Sequence, residues 1–229
     1  VGVHPHKGFE TVTIAYKGSV AHHDSAGNSG VIKPGDVQWM TAGAGILHKE
    51  YHEEEFSKTG GPFEMVQLWV NLPKKDKSAK PHYQAITAAQ MGKVQLPGNQ
   101  GLVNVIAGNF NGVAGSATTY SPVNLFDIKL NKDGSLTTST PASHNTALLV
   151  INGSIVVNGE KAPEHSFVLF NNEGEEIEIK AVENSVILLL SGEPIQEPIA
   201  SYGPIVMNTQ EEIHEAMQEF QSGKYGTLH

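Results

Sequence analysis

Four residues constrain this chain more than any others. His4 and His6 form an i, i+2 pair in His4-Pro5-His6-Lys7-Gly8-Phe9-Glu10. His48 and Glu50 form a second such pair in Gly45-Ile46-Leu47-His48-Lys49-Glu50. Side chains alternate across a β-strand, so each pair occupies one face of its strand. If the two strands face each other, three imidazoles and one carboxylate converge. That nitrogen and oxygen donor set suits a mid-row divalent metal such as Fe(II), with positions left for water or substrate. A single His-x-His is weak evidence, and the adjacent His22 and His23 show that not every one of the eleven histidines needs a metal.

The surrounding sequence is written for strands. Residues 9–16 are β-branched and aromatic and stop at Lys17-Gly18. Turn clusters follow at 25–30 and 34–36. Val37-Gln38-Trp39-Met40 and the alternating 64–72 segment are further strands, the latter ending at Pro73. Gly43 and Gly45 allow backbone conformations closed to other residues just before His48. The lysine-rich stretch 73–81 reads as a solvated loop, and a short helix is expected around Ile86 to Met91.

β character then resumes at 102–108, 125–130, 147–151, 166–170 and 185–190. Asn152-Gly153 is a hairpin signal, and Asn158-Gly159 follows the next strand. Short strands with frequent Gly and Pro turns predict an all-β sandwich or barrel. The second half repeats the first in style, so two tandem β domains are expected, with a boundary near 80–92. Near the C-terminus the period changes. Thr209-x-x-Glu212 is a capping box, Ile213, Ala216, Met217 and Phe220 share a helical face, and Gly223 can end the helix.

Composition excludes several functions. There is no cysteine, which removes disulfides, thiolate metal sites and a cysteine nucleophile, and fits the cytoplasm. All fifteen cations are lysine and the formal net charge is -9. An acidic chain without arginine lacks the electrostatic footprint and bidentate base contacts of a nucleic-acid reader. No apolar run approaches the length of a membrane-spanning helix, so no membrane association is expected.

Gly2, His4, His6 and Glu10, followed by Gly18, resemble the first cupin motif. Gly35, Gly43, Gly45 and His48 resemble the second, with Glu50 two residues on. The fuller strings HPHKGFETVTIAYKGSVAHHDSAGNSGVIKPGDVQWMTAGAGILHKEYH and SGEPIQEPIASYGPIVMNTQEEI resemble the pirin family. The resemblance runs from residue 2 to about 225. It implies a bicupin: two tandem cupin β-sandwich barrels with a short C-terminal helix. The first domain would span 1–85 and bind the metal; the second would span 90–229, metal-free. Family members carry further residues before the His-Pro-His string, so the first domain is expected to lack its first strands.

The resemblance further implies metal ligation by His4, His6, His48 and Glu50, with Glu10 not a ligand. The family usually has arginine where Lys7 stands. The C-terminal half has His144 and His165 but no His-x-His or His-x-Glu, in keeping with a metal-free second domain. His144 reads as a hydrogen-bonded residue.

Some bacterial pirins resemble quercetinases, flavonol dioxygenases of the 2,3- or 2,4-type, which implies a flavonol and O₂ as substrates. Fe(II) is the expected metal, with Mn, Co, Ni, Cu or Zn as alternatives. Glu50 is the expected base. Phe9, His23, Asp24, Gln38 and Met40 are candidates for lining the pocket or supporting the ligands. Eukaryotic pirins imply an alternative: an iron-binding, redox-sensitive regulator that acts through a protein partner, on transcription or on a metabolic enzyme.

Overall fold

The computed structural model describes residues 1–228 and divides into two compact units. One comprises Val1–Ala89 with Gln196–His229; the other is Gln90–Ile195.

The first unit is a sandwich of two four-stranded antiparallel sheets. Its strands are β1 (His4–His6), β2 (Phe9–Lys17), β3 (Val20–Asp24), β4 (Ser29–Ile32), β5 (Val37–Thr41), β6 (Ile46–His52), β7 (Glu64–Asn71) and β8 (His82–Ile86). One sheet has the order β1-β6-β3-β4 and the other β7-β2-β5-β8. β6 is the central organiser of the first sheet. It pairs His48 with His4 of β1 and with Asp24 of β3, and pairs Glu50 with His22 of β3. Residues paired across an antiparallel ladder share a face. His4, His48 and Asp24 therefore form one row, His22 and Glu50 the next, and all point between the sheets.

The second unit is also a sandwich. A six-stranded sheet runs in the order Phe167–Leu169, Asn145–Asn152, Ser185–Gly192, Val123–Leu130, Gly101–Ala107, Gly92–Leu96. It faces a four-stranded sheet of Ser135–Ser139, Glu176–Ala181, Ile155–Val157 and Glu160–Ala162. Its interior is apolar, built from Val103, Val105, Phe126, Ile128, Leu148, Ile179, Ile187 and their neighbours. Glu176–Ala181 alternates exposed and buried residues strictly, as a half-buried strand should.

The all-β reading therefore holds, as two sandwiches rather than closed barrels. Four details differ from the sequence reading. The expected helix around Ile86 to Met91 is absent: β8 runs to Ile86, which pairs with Val37. Asp36 Oδ1 then accepts from Ala88 N at 2.8 Å and fixes the turn that follows. Asn152-Gly153 does not close a hairpin, because the strands on either side lie in different sheets. Asn158-Gly159 does, with φ of 48° and 86° between the paired Val157 and Glu160. A short helix, α1 (Glu54–Thr59), was not anticipated; the Glu53 carboxylate caps it by accepting from Glu55 N and Phe56 N.

The fourth difference concerns the C-terminus. The helix α2 (Gln210–Gln221) carries the expected capping box between Thr209 and Glu212. It does not join the second domain, to which the sequence reading assigned it. It packs Ile213 and Ala216 on the hairpin Ala200–Tyr202/Ile205–Met207, and both belong to the first unit. Polar contacts hold this return. Lys7 N donates to Pro204 O and Val206 N to Lys7 O. The buried Lys77 ammonium donates to Gly8 O, Asn71 Oδ1 and Val206 O at 2.8–2.9 Å. Lys7 Nζ pairs with Glu219 at 2.6 Å and donates to Ala44 O. Gly8 sits at φ +82°, and a Cβ there would lie 2.0 Å from Val206 O, so only glycine allows the hairpin to dock.

Lys77 generates a direct expectation. Lys77→Met keeps the buried stem but leaves three acceptors without their donor. The cost should be about 2–4 kcal/mol, read as a lower urea midpoint. An unchanged midpoint would mean that water replaces the ammonium at no cost.

Candidate metal centre

The alternation of β1 and β6 brings three imidazoles together. His4 Nε2 lies 3.1 Å from His6 Nε2 and 2.9 Å from His48 Nε2. The ligand atoms of His4, His6 and His48 all fall within 4.8 Å of one another. With metal–nitrogen bonds of about 2.1 Å, neighbouring donors are about 3.0 Å apart in an octahedral shell and about 3.4 Å in a tetrahedral one. The two separations from His4, 2.9 and 3.1 Å, fall at the octahedral value. Protonation does not explain it, because each imidazolium would repel the next.

Hydrogen bonding orients these rings. His4 Nδ1 lies 2.7 Å from Gly2 O and must donate to it, which leaves a lone pair on Nε2. His48 Nδ1 lies 3.5 Å from His22 Nδ1. The buried His6 Nδ1 has no partner of full hydrogen-bond geometry, although the Pro204 carbonyl acts on the ring. Burial, then the neighbouring His4, pushes His6 down to about 3. Burial, then His6 and His4, pushes His48 down to about 2. Both rings are therefore neutral at physiological pH, the form that binds metal.

Glu50, expected as a fourth ligand, is not grouped with the three imidazoles; it stands in a second cluster with His22 and His48, which shares His48 with the first. Its carboxylate is buried and held from three sides. Oε1 accepts from Gln38 Nε2 at 3.0 Å and Thr13 Oγ1 at 3.2 Å; Oε2 accepts from Gln67 Nε2 at 2.8 Å. A carboxylate has about four acceptor positions, so one on Oε2 stays open. Tyr83 OH donates to Gln38 Oε1 at 3.3 Å, and its ring stacks on His22 at 4.9 Å. Burial, then the charges of Asp24 and Glu50, pushes the Tyr83 hydroxyl up to about 12, so it remains a donor.

The other expected residues divide. Asp24 is buried, with Oδ2 3.3 Å from His22 Nε2, while Oδ1 accepts from Ala26 N and Asn28 N. Burial pushes its carboxyl up, but the hydrogen bonds from His22 and Asn28 outweigh this and hold it below the usual range. Gln38 lies inside the site. Phe9 and Met40 are fully buried and offer no surface to a ligand. Phe9 packs edge-on against His6 at 5.0 Å, and Met40 packs with Ala42 and Ile46.

His23 corrects the sequence reading. It pairs with Lys49, on the opposite face of the sheet from His22, and its Nδ1 meets the exposed Tyr51 hydroxyl at 2.9 Å. Glu10 lies on the face of β2 opposite Thr13, bonded to Thr41 and outside both clusters. In the second unit His144 Nδ1 meets Ser191 Oγ at 3.0 Å, as a hydrogen-bonded residue.

Sequence reasoning missed His22, Gln67, Thr13, Tyr83 and Trp69. His22 and Asp24 form the same i, i+2 pattern that revealed His4 and His6, so that signal was present. Trp69 is about half exposed (51%) and lies 5.8 Å from the His6 ring, making it an aromatic surface available beside the site.

The pKa shifts set an expectation for metal-free protein. The unfolded histidines titrate near 6.5, above their folded values. Below pH 6.5 the unfolded state therefore binds more protons, and stability falls as pH drops. The slope is up to about 1.4 kcal/mol per pH unit for each histidine. The urea midpoint of chelator-treated protein should drop between pH 7 and 5, and His6→Asn should flatten that drop. A midpoint independent of pH in this window would contradict the neutral, buried triad.

Comparison with known proteins agrees with this architecture. The pirin family model matches residues 1–70, and the model of the pirin C-terminal cupin domain matches residues 125–226. A Pseudomonas aeruginosa protein named "Putative quercetin 2,3-dioxygenase PA2418" is 47% identical over 229 residues, covering 100% of this chain and 80% of the relative. Human pirin is 36% identical over 230 residues, covering 97% of this chain and 77% of the relative. A crystal structure described as quercetin 2,3-dioxygenase from Acinetobacter baumannii superposes with a TM-score of 0.95 at 48% identity. It covers 100% of this chain and 80% of that one. A bacterial pirin from Escherichia coli in complex with nickel(II) matches with a TM-score of 0.68 at 26% identity, covering 84% and 76%. By sequence over its whole length and by fold, this chain belongs to the pirin family.

Proposed function

We propose that this protein is a metal-dependent dioxygenase that cleaves quercetin-type flavonols with O₂. The observation that carries the reading is the convergence of three imidazole Nε2 atoms beside a buried, rigidly held carboxylate. Relatives named for quercetin dioxygenation support it. His4, His6 and His48 would hold the metal, which we assign as Fe(II) because nitrogen donors with a nearby carboxylate and open positions suit it. When bound, the metal supplies Lewis acidity toward a substrate hydroxyl and redox access to O₂.

The protein's own residues do the rest. Trp69 offers a flat aromatic face beside His6 on which a flavonol ring can stack. The open lone pair of Glu50 Oε2 takes the proton of the flavonol 3-hydroxyl. Gln38, Gln67 and Thr13 hold that carboxylate in one orientation and spare it reorganisation. The resulting anion is electron-rich enough to react with O₂, and ring opening releases a depside and carbon monoxide.

The test is aerobic loss of quercetin absorbance with Fe(II)-loaded protein carrying about one metal per chain. Glu50→Ala should bind metal yet lose about 100-fold or more in kcat/KM, the scale of a general base. No turnover by fully loaded wild-type protein would overturn the reading for flavonols.

A further inference from the structure

We propose that Asp24 and His22 form a buried relay that fixes the tautomer of His48 and strengthens its hold on the metal. The inference rests on the reading of His4, His6 and His48 as metal ligands, not on the identity of the substrate. The chain runs from Asp24 Oδ2 to His22 Nε2 at 3.3 Å, then from His22 Nδ1 to His48 Nδ1 at 3.5 Å. His48 Nε2 lies in the triad. All three side chains are buried.

The protons in this chain have one consistent arrangement. Glu50 is an acceptor, so the Gln38 group facing it at 3.0 Å is the amide nitrogen. The same nitrogen lies 3.3 Å from His22 Nδ1, so it donates there too and His22 Nδ1 must be the bare nitrogen. His22 then carries its proton on Nε2 and donates it to Asp24. The single lone pair of His22 Nδ1 is shared between Gln38 Nε2 at 3.3 Å and His48 Nδ1 at 3.5 Å; facing that lone pair, His48 keeps its proton on Nδ1 and presents its own lone pair at Nε2. An anionic carboxylate at the end of the chain polarises both imidazoles and makes His48 the more basic ligand. Tyr83 stacked on His22 and bonded to Gln38 holds the ring plane.

His22 and Asp24 are thus positioning residues that act through His48. A packing role alone would need their volume and burial but no particular proton arrangement. Asp24→Asn separates the two. Its oxygen can still accept from Ala26 N and Asn28 N and keep the turn, as Asp24 Oδ1 does now. Its amide nitrogen, however, faces two donors, His22 Nε2 and the Asn28 side-chain amide that now donates to Asp24 Oδ2 at 2.9 Å. His22 must then move its proton to Nδ1, where it meets donors from Gln38 and His48. His48 is pushed to the tautomer with a proton on Nε2, which must be lost before metal can bind.

The experiment measures metal affinity by competition with a chelator, using Ni(II) or Co(II) to avoid iron oxidation. Asp24→Asn should weaken binding roughly 10- to 100-fold, measured under conditions where the metal-free variant is fully folded. Adding His22→Asn should recover most of the loss, because an asparagine oxygen there can accept from His48 without Asp24. Equal affinity for Asp24→Asn and wild type overturns the proposal, as does a double variant weaker than the single one.

Wild-type protein supplies an independent arm if Asp24→Asn fails to fold. Imidazole ¹⁵N shifts of the metal-free chain should show the proton on Nε2 of His22 and on Nδ1 of His48. The reverse assignment overturns the relay. Neither readout involves quercetin, so loss of the dioxygenase reading would leave this result standing.

Discussion

The two-residue period of β6 is the constraint on which this site depends. Between β1 and β3, β6 turns alternate residues inward, so His48 and Glu50 face the interior. Its neighbours must then supply inward residues at the same levels: His4 and Asp24 beside His48, His22 beside Glu50. A register slip of one residue would turn the entire set outward and place Leu47 and Lys49 where the imidazoles now stand. Ring after ring packs around this register, with His22 on Tyr83 and His6 on Phe9 and Trp69.

Placing so many polar groups between two sheets is costly unless each finds a partner. The structure meets most of this cost with a connected network in place of isolated pairs, His6 Nδ1 being an exception. Glu50 takes three donors from three strands of the opposite sheet, and Gln38 links that carboxylate to His22 and Tyr83. Burial and mutual repulsion keep His6 and His48 neutral, while hydrogen bonds from His22 and Asn28 favour the charged form of Asp24. The cluster is held in the state that a cation would complete.

The two units show how far the same architecture can diverge in use. The interior of Gln90–Ile195 is filled by valine, leucine, isoleucine and phenylalanine. Both metal-candidate clusters among the described residues lie in the other unit. Sandwich geometry provides inward positions, and the side chains placed there decide whether the interior is core or site. The C-terminal hairpin and α2 serve the first unit instead, anchored through Lys7 and Lys77, the former directly after the candidate ligand His6.

The sequence by itself pointed to most of the strands and to His4, His6, His48 and Glu50 as candidate ligands, of which the structure gathers the three imidazoles in one cluster. All follow from local patterns: period-two alternation, turn residues and the spacing of pairs on one strand. Its Thr209 capping box likewise located α2, because capping is satisfied within one helical turn. The sequence did not determine which side of the sheet each of two adjacent histidines takes. His22 faces the site and His23 faces out only because β3 pairs with β6 in one register. Nor did it show that residues 196–228 return to the first unit, or that Gln67, Tyr83 and Trp69 reach the cluster from strands far along the chain. Those placements rest on contacts between segments separated by tens to hundreds of residues, which local periodicity does not encode and only the packed sheets decide.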